Sequence, residues 1–200
     1  MRIAPYGNEA LLAEPDDPAS VLALAAAVAA EPGVLEVVPA ARTLLVRAEA
    51  AALAGLPERL IDLGEPASAA PEPESAQVAL DVRYDGADLA GVAADLWLDT
   101  AEVVRRHTAT EYVVAFCGFA PGFAYLRGLD ETLHLPRLTE PRTRVPAGSV
   151  GIAGEFTGVY PRESPGGWRL LGRTDADLWD LGRRSPALLS PGTRVRFRAT

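Results

Sequence analysis

The chain of 200 residues contains no lysine, a single cysteine and only two histidines. Each scarcity removes a class of function. Without lysine there is no Gly-x-x-x-x-Gly-Lys phosphate loop. One cysteine, Cys117, rules out an internal disulfide framework and suits a reducing, cytoplasmic setting. Flanked by Phe116 and Phe119 on an expected strand, it reads as a small buried apolar residue rather than a nucleophile. His107 and His134 lie 27 residues apart, outside any paired metal-ligand spacing, so no metal site is expected. The longest apolar-looking run, Val21 to Ala30, is mostly alanine and far too short to span a bilayer. The opening residues turn polar at once, as a signal peptide would not. Gly148-Ser-Val-Gly151 falls short of a nucleophile elbow.

What is present is a soluble globular composition, 48% hydrophobic and 23% charged. All 19 basic residues are arginine, and charge is unevenly spread. Residues 1–100 carry 5 arginines against 17 acids; residues 101–200 carry 14 against 10. The acidic whole argues against nucleic acid as a partner. The basic second half is suited to a small anion, although for most of its arginines exposed ion pairs are the better account.

The chain divides near Gly64-Glu-Pro-Ala-Ser-Ala-Ala-Pro-Glu-Pro-Glu-Ser-Ala76, which has the composition of a linker. The expected organisation is an α+β domain over 1–64, a linker over 65–77 and a second domain over 78–200. In the first, Arg2–Tyr6 and Glu9–Glu14 flank a Gly7-Asn8 turn as a hairpin. Asp17 caps a helix with Pro18 at its first position, running to about Ala30. Val34–Val38 and Thr43–Arg47 form a second hairpin, and Ala50–Leu63 a helix broken near Pro57. A sheet covered on one face by two helices follows. In the second domain, Val78–Tyr84 alternates as a half-buried strand. A helical piece covers Asp88–Asp95. Asp99-Thr-Ala-Glu102 predicts a capping box opening the helix that ends at His107. Further strands are expected at Glu111–Cys117, Ser149–Ala153, Trp168–Leu171 and Arg194–Arg198. Many short strands with tight corners suggest a small, nearly closed barrel.

The stretch from Gly118 to Arg173 holds ten of the 18 glycines and six of the 17 prolines, yet keeps large apolar anchors. It reads as an ordered loop surface, where binding and catalysis usually sit, or as a barrel with many corners. Three phrases dominate it: Gly118-Phe-Ala-Pro-Gly-Phe-Ala-Tyr-Leu126, Pro141-Arg-Thr-Arg-Val-Pro-Ala-Gly-Ser-Val150 and Ser164-Pro-Gly-Gly-Trp168. Together with Val159-Tyr-Pro161, Leu171-Gly-Arg-Thr174, Arg83-Tyr-Asp-Gly-Ala-Asp-Leu89, His107-Thr-Ala-Thr-Glu-Tyr112 and Pro191-Gly-Thr-Arg-Val-Arg-Phe197, they closely resemble the family of 5-oxoprolinase B subunits. That family is also called the KipI type or allophanate hydrolase subunit 1. The resemblance covers nearly all of the second domain and the first more loosely.

The resemblance implies a ferredoxin-like α+β domain followed by a cyclophilin-like β-barrel. It implies companion subunits C and A, ATP as co-substrate with Mg, and ATP-driven opening of the lactam of 5-oxoproline to glutamate. Two alternatives stay open. One is a KipI-type inhibitor of a sensor histidine kinase. The other is a component of a biotin-dependent urea carboxylase or allophanate-type carboxyltransferase, although this chain has no lysine to carry biotin. Trp97 stands where a glycine commonly separates two helical pieces, and Glu155-Phe156 where a small residue and an amide are usual.

Phosphorylating the lactam oxygen would make C5 electrophilic, and arginine forks suit the developing phosphoryl charge. Arg142, Arg173 and Arg144 are the candidates, with His107 for proton transfer. Backbone N–H groups around Gly148, Gly166 and Gly167 are further donors. Phe119, Pro121, Gly122, Phe123, Tyr160 and Trp168 are expected to wall a pocket for a small anionic lactam, with Ser149 and Ser164 beside it. For each residue singly, a role in core or turn is an equal reading.

Overall fold

A computed structural model describes residues 1–69 and 76–200. The chain divides into two compact units, Met1–Glu74 and Ser75–Thr200.

The first unit runs β1 (Arg2–Tyr6), β2 (Ala10–Glu14), α1 (Val21–Val28), β3 (Val34–Pro39), β4 (Leu44–Ala48), α2 (Ala50–Leu53) and α3 (Leu56–Ala69). Its sheet is antiparallel in the order β1-β2-β4-β3. Thus β4 lies between β2 and β3, which α1 joins as a crossover. This is the split βαβ arrangement of a ferredoxin-like fold, with its last strand moved to the front of the chain. Asp17 caps a single 3₁₀ turn, accepting from the Ala19 N–H, before α1 begins. Leu24, Val28, Leu44, Val46, Leu56 and Leu60 are fully buried between helices and sheet.

Two expectations need correction here. The helix break falls at Ala54-Gly55, and Pro57 sits in the first turn of α3, where its missing N–H costs nothing. Residues 65–69, expected in a linker, extend α3, although Pro66 is a poor helix former at that position. Of the rest of that expected linker, residues 70–75 lie outside the described residues and Gln77 opens β5.

The second unit holds β5 (Gln77–Val82), α4 (Leu89–Asp95), α5 (Thr100–Ala109), β6 (Tyr112–Cys117), β7 (Ala124–Arg127), β8 (Arg142–Val145), β9 (Ser149–Ala153), β10 (Phe156–Val159), β11 (Ser164–Gly166), β12 (Arg169–Arg173) and β13 (Arg194–Ala199). Seven strands form one sheet in the order β12-β9-β10-β7-β6-β13-β5, and β8 pairs with β11 beside it. The two edges of the large sheet meet where Arg83 and Arg173 exchange backbone hydrogen bonds, both 2.9 Å long. The Gly86 and Asp88 N–H groups extend the seam to Leu171 and Leu170. The sheet thereby closes into a near-barrel around Leu80, Val82, Val103, Tyr112, Leu126, Ile152 and Phe197.

Glycine makes the seam possible. A Cβ on Gly86 would run into the Leu170–Gly172 backbone, and one on Gly172 into the Arg83 carbonyl. Both neighbours are main chain and cannot swing aside.

The expected capping box is half formed. Asp99 Oδ1 accepts from the Glu102 N–H at 2.7 Å. The Glu102 carboxylate does not reach back; it pairs with Arg105 and Arg106, because two guanidinium groups outcompete one N–H.

Candidate functional site

The glycine- and proline-rich segments gather around a second, smaller apolar cluster in the barrel unit. Phe123, Val145, Ala153, Tyr160, Trp168 and Leu170 are buried in it. Phe123 stands at its centre, edge-on to Tyr125, Tyr160 and Trp168 at 5.0–5.3 Å between ring centroids. Tyr125 in turn stacks on Phe116 at 4.2 Å, and Phe156 closes the layer edge-on to both. Edge-on and offset rings suit the quadrupole of the aromatic face. Phe123, Tyr160 and Trp168 are therefore packing residues of a buried layer, at 1%, 1% and 4% exposure, rather than walls open to solvent. Gly166 has no side chain because the Tyr160 hydroxyl occupies that place. Phe156, at one of the two places where the chain departs from the family pattern, adds a ring to this layer; Glu155 beside it is exposed.

Phe119 alone of the expected aromatic residues faces solvent, at 58% exposure, with its ring edge-on to Phe123 and Tyr160. Its φ is +68°, and the Ala120 N–H donates to the Gly118 carbonyl across it at 2.7 Å, a tight γ-turn. Pro121 is exposed in the same turn, and Gly122, at φ +84°, packs against Trp179 and Pro161. Trp97 is the other non-glycine residue with positive φ among the described residues; it is 95% exposed between α4 and α5. A bulky residue with positive φ is costly, and such strain collects at functional sites.

The three candidate arginines all hold carboxylates. Arg142 Nη2 donates to Asp88 Oδ1 at 2.6 Å, while Asp88 Oδ2 accepts from the Leu170 N–H at 2.7 Å. Asp88 thus ties the start of α4 to β8 and β12, with little solvent around the pair. Arg144 pairs with Glu163 at 2.6 Å and Arg173 with Asp85 at 2.7 Å, both pairs well exposed. Arg173 lies at the seam, on the rim of a separate polar cleft, and does not join the aromatic layer.

Ser149 is buried with its hydroxyl donating to the Pro146 carbonyl, and Ser164 donates to the Arg162 carbonyl. Gly148, at φ +78°, packs on the Thr174 carbonyl, and Gly167 accepts from the Leu138 N–H. These residues brace the turns around the aromatic layer.

His107 is fully buried in the barrel core, away from the loops. Thr157 Oγ1 donates to the Gly151 carbonyl at 3.0 Å, so it accepts from His107 Nε2–H at 2.9 Å. Nδ1 then accepts from the Tyr84 hydroxyl at 2.7 Å, which defines a neutral tautomer. Burial depresses the imidazole pKa to about 3. The ring lies in the last turn of α5 and crosslinks it to β10 and to Tyr84 just past β5. Tyr84, Thr157 and Asp88 were missed as functional partners; Tyr84 and Asp88 lie in a phrase that resembles the family, and Thr157 lies in none.

Among the described residues no cluster of His, Cys, Asp and Glu suits a metal ion, and no helix is long and apolar enough to cross a membrane.

The profile of the carboxyltransferase domain, subdomain C and D, matches residues 1–189. The chain belongs to that family. It is 49% identical over 172 residues to the B subunit of 5-oxoprolinase from Escherichia coli O157:H7, an alignment covering 83% of this chain and 78% of that protein. The crystal structure of TTHA0988 matches 96% of this chain at 39% identity and a TM-score of 0.78, but this chain spans only 40% of that one. A protein from Pyrococcus horikoshii, PH0987, matches over its whole length (100% of this chain, 97% of that one) at 35% identity and a TM-score of 0.60.

Proposed function

We propose that this chain is the B subunit of an ATP-dependent 5-oxoprolinase, a cytoplasmic complex that opens the lactam of 5-oxo-L-proline to L-glutamate with subunits A and C. The observation that carries this reading is the 49% identity to a 5-oxoprolinase B subunit over most of both chains.

An amide in a five-membered ring is stable, and attack by water needs an activated carbonyl. ATP supplies that activation. The three candidate arginines each already hold a carboxylate. No step of phosphoryl transfer is therefore assigned to them. The contribution of this chain is binding. Phe119 offers an apolar ring that a flat lactam can stack on. Arg144 can exchange Glu163 for the substrate carboxylate at little cost, since exposed pairs are worth about 0–1 kcal/mol. Arg142 cannot do so cheaply, because Asp88 would be left largely buried and unpaired.

Purified chain should be mixed with subunits A and C, ATP, Mg and 5-oxo-L-proline. Glutamate release is expected only from the complete mixture. No ATP-dependent glutamate from that mixture, or full activity from this chain alone, overturns the reading.

A further inference from the structure

The barrel is not closed along its whole seam. In β5 the even-numbered residues turn their backbone groups to β13: the Ala76 carbonyl accepts from the Arg194 N–H and the Val82 carbonyl from the Thr200 N–H. The odd-numbered residues face the other way. Arg83 is satisfied there by Arg173, but Ala79 and Asp81 on the same edge meet no strand among the described residues, because β12 ends at Arg173. The gap so left is a cleft of about 320 Å³. It is lined by Ala79, Asp81, Arg83, Arg173, Thr174 and Asp175, among others. Asp81 is engaged by Arg198 and Arg173 by Asp85. Arg83 and Asp175 are exposed, and among the described residues neither side chain has an ion-pair partner.

An open strand edge offers alternating N–H donors and C=O acceptors. Beside it stand one free cation and one free carboxylate. We infer that this cleft binds a free α-amino acid as a zwitterion. Such a molecule is a one-residue strand in hydrogen-bonding terms. Its carboxylate takes the edge N–H groups and Arg83, and its ammonium takes the edge carbonyls and Asp175. The size is that of a small-ligand site, and its polar lining disfavours an apolar ligand. The site is separate from the aromatic layer and stands on the barrel geometry alone, whatever reaction the complex performs.

The test uses the full chain without partner subunits or ATP. L-Glutamate is titrated while backbone amides are followed by NMR. The amides of Ala79, Asp81, Arg83 and Thr174 should shift saturably, with a Kd of roughly 0.1–1 mM. 5-Oxo-L-proline, which has a carboxylate but no ammonium, should bind at least about tenfold more weakly. Arg83→Ala and Asp175→Asn should each weaken glutamate about tenfold, whereas Arg184→Ala should not. No saturable shift up to about 10 mM glutamate, an equal response to 5-oxo-L-proline, or unaltered binding by Arg83→Ala overturns the inference. A failed lactamase assay leaves it standing, because no turnover enters the measurement.

Discussion

The aromatic layer and the seam cleft lie in the same barrel unit and use their polar groups in opposite ways. In the layer, the conspicuous residues are committed to one another. Trp168 and Tyr160 are buried, Ser149 is bonded to its own turn, and Arg142 is clamped by Asp88 through Nη2, although its Nη1 is buried without a hydrogen-bond partner. At the seam, the sequence is plain, yet a strand edge and two charged side chains lack partners among the described residues. Density of glycine, proline and aromatic residues marks where the chain is hard to fold into shape. Exposed, unpaired charges beside an open strand edge mark where it has capacity left to bind.

That contrast can be broken most forcefully at the seam itself. Gly172→Ala puts a methyl group against the Arg83 carbonyl and the Tyr84 backbone. Overpacking against main chain is expected to cost about 3 kcal/mol or to prevent folding, read as a lower urea midpoint or insoluble expression. A mild effect would mean that the barrel edges are held apart more loosely than described.

In the layer, Asp88→Ala strands the Arg142 guanidinium and the Leu170 N–H together. Both are partly screened, so a loss of about 2 kcal/mol is expected. Arg142→Ala should cost less, because Asp88 keeps the Leu170 N–H. Equal urea midpoints for the two variants would show that Asp88 is not the hub.

Between these regions lies His107, whose effect depends on pH. Its folded pKa, about 3, is below its ordinary value of 6.5. The unfolded chain therefore takes up the proton first as pH falls. The stability due to this group is fully present above about pH 6.5 and declines toward pH 3 at about 1.4 kcal/mol per pH unit. His107→Gln should lower stability at pH 7 and flatten that slope; parallel profiles for variant and parent would contradict the buried neutral ring.

The smallest change is expected at the exposed strained aromatics. Trp97→Gly should raise the stability of the isolated chain by about 0.5–1 kcal/mol, since the ring buries nothing and glycine accepts φ +57° freely. A destabilised variant would show that Trp97 makes contacts within this chain after all.

Much of the architecture was legible because it is local. Alternation in Val78–Val82, the Gly7-Asn8 turn and Asp17-Pro18 each act within a few residues, and strands β9 and β13 begin where the pattern of side chains says they do. The end of α3 was not legible, because Pro66 signals a helix stop and the helix continues past it. The half-made box at Asp99 was misread because Arg105 and Arg106 compete for Glu102. The roles of the candidate site residues were the least legible part. Arg142 and Asp88 are 54 positions apart, and His107 and Thr157 50 apart. No spacing rule links such residues, and a phrase that resembles a family names positions without saying which way each side chain turns.

By itself, then, the sequence determined the kinds of element, the two-part organisation of apolar patterning and the chemistry that is excluded, since these follow from composition and short-range periodicity. Only the tertiary structure decided which arginine is clamped and which exposed, that His107 is neutral and buried, and where the barrel stays open. Each of those depends on burial and on partners brought together by closing the sheet, and hydrogen bonds and ion pairs between residues 50 or more apart exist only once that closure is made.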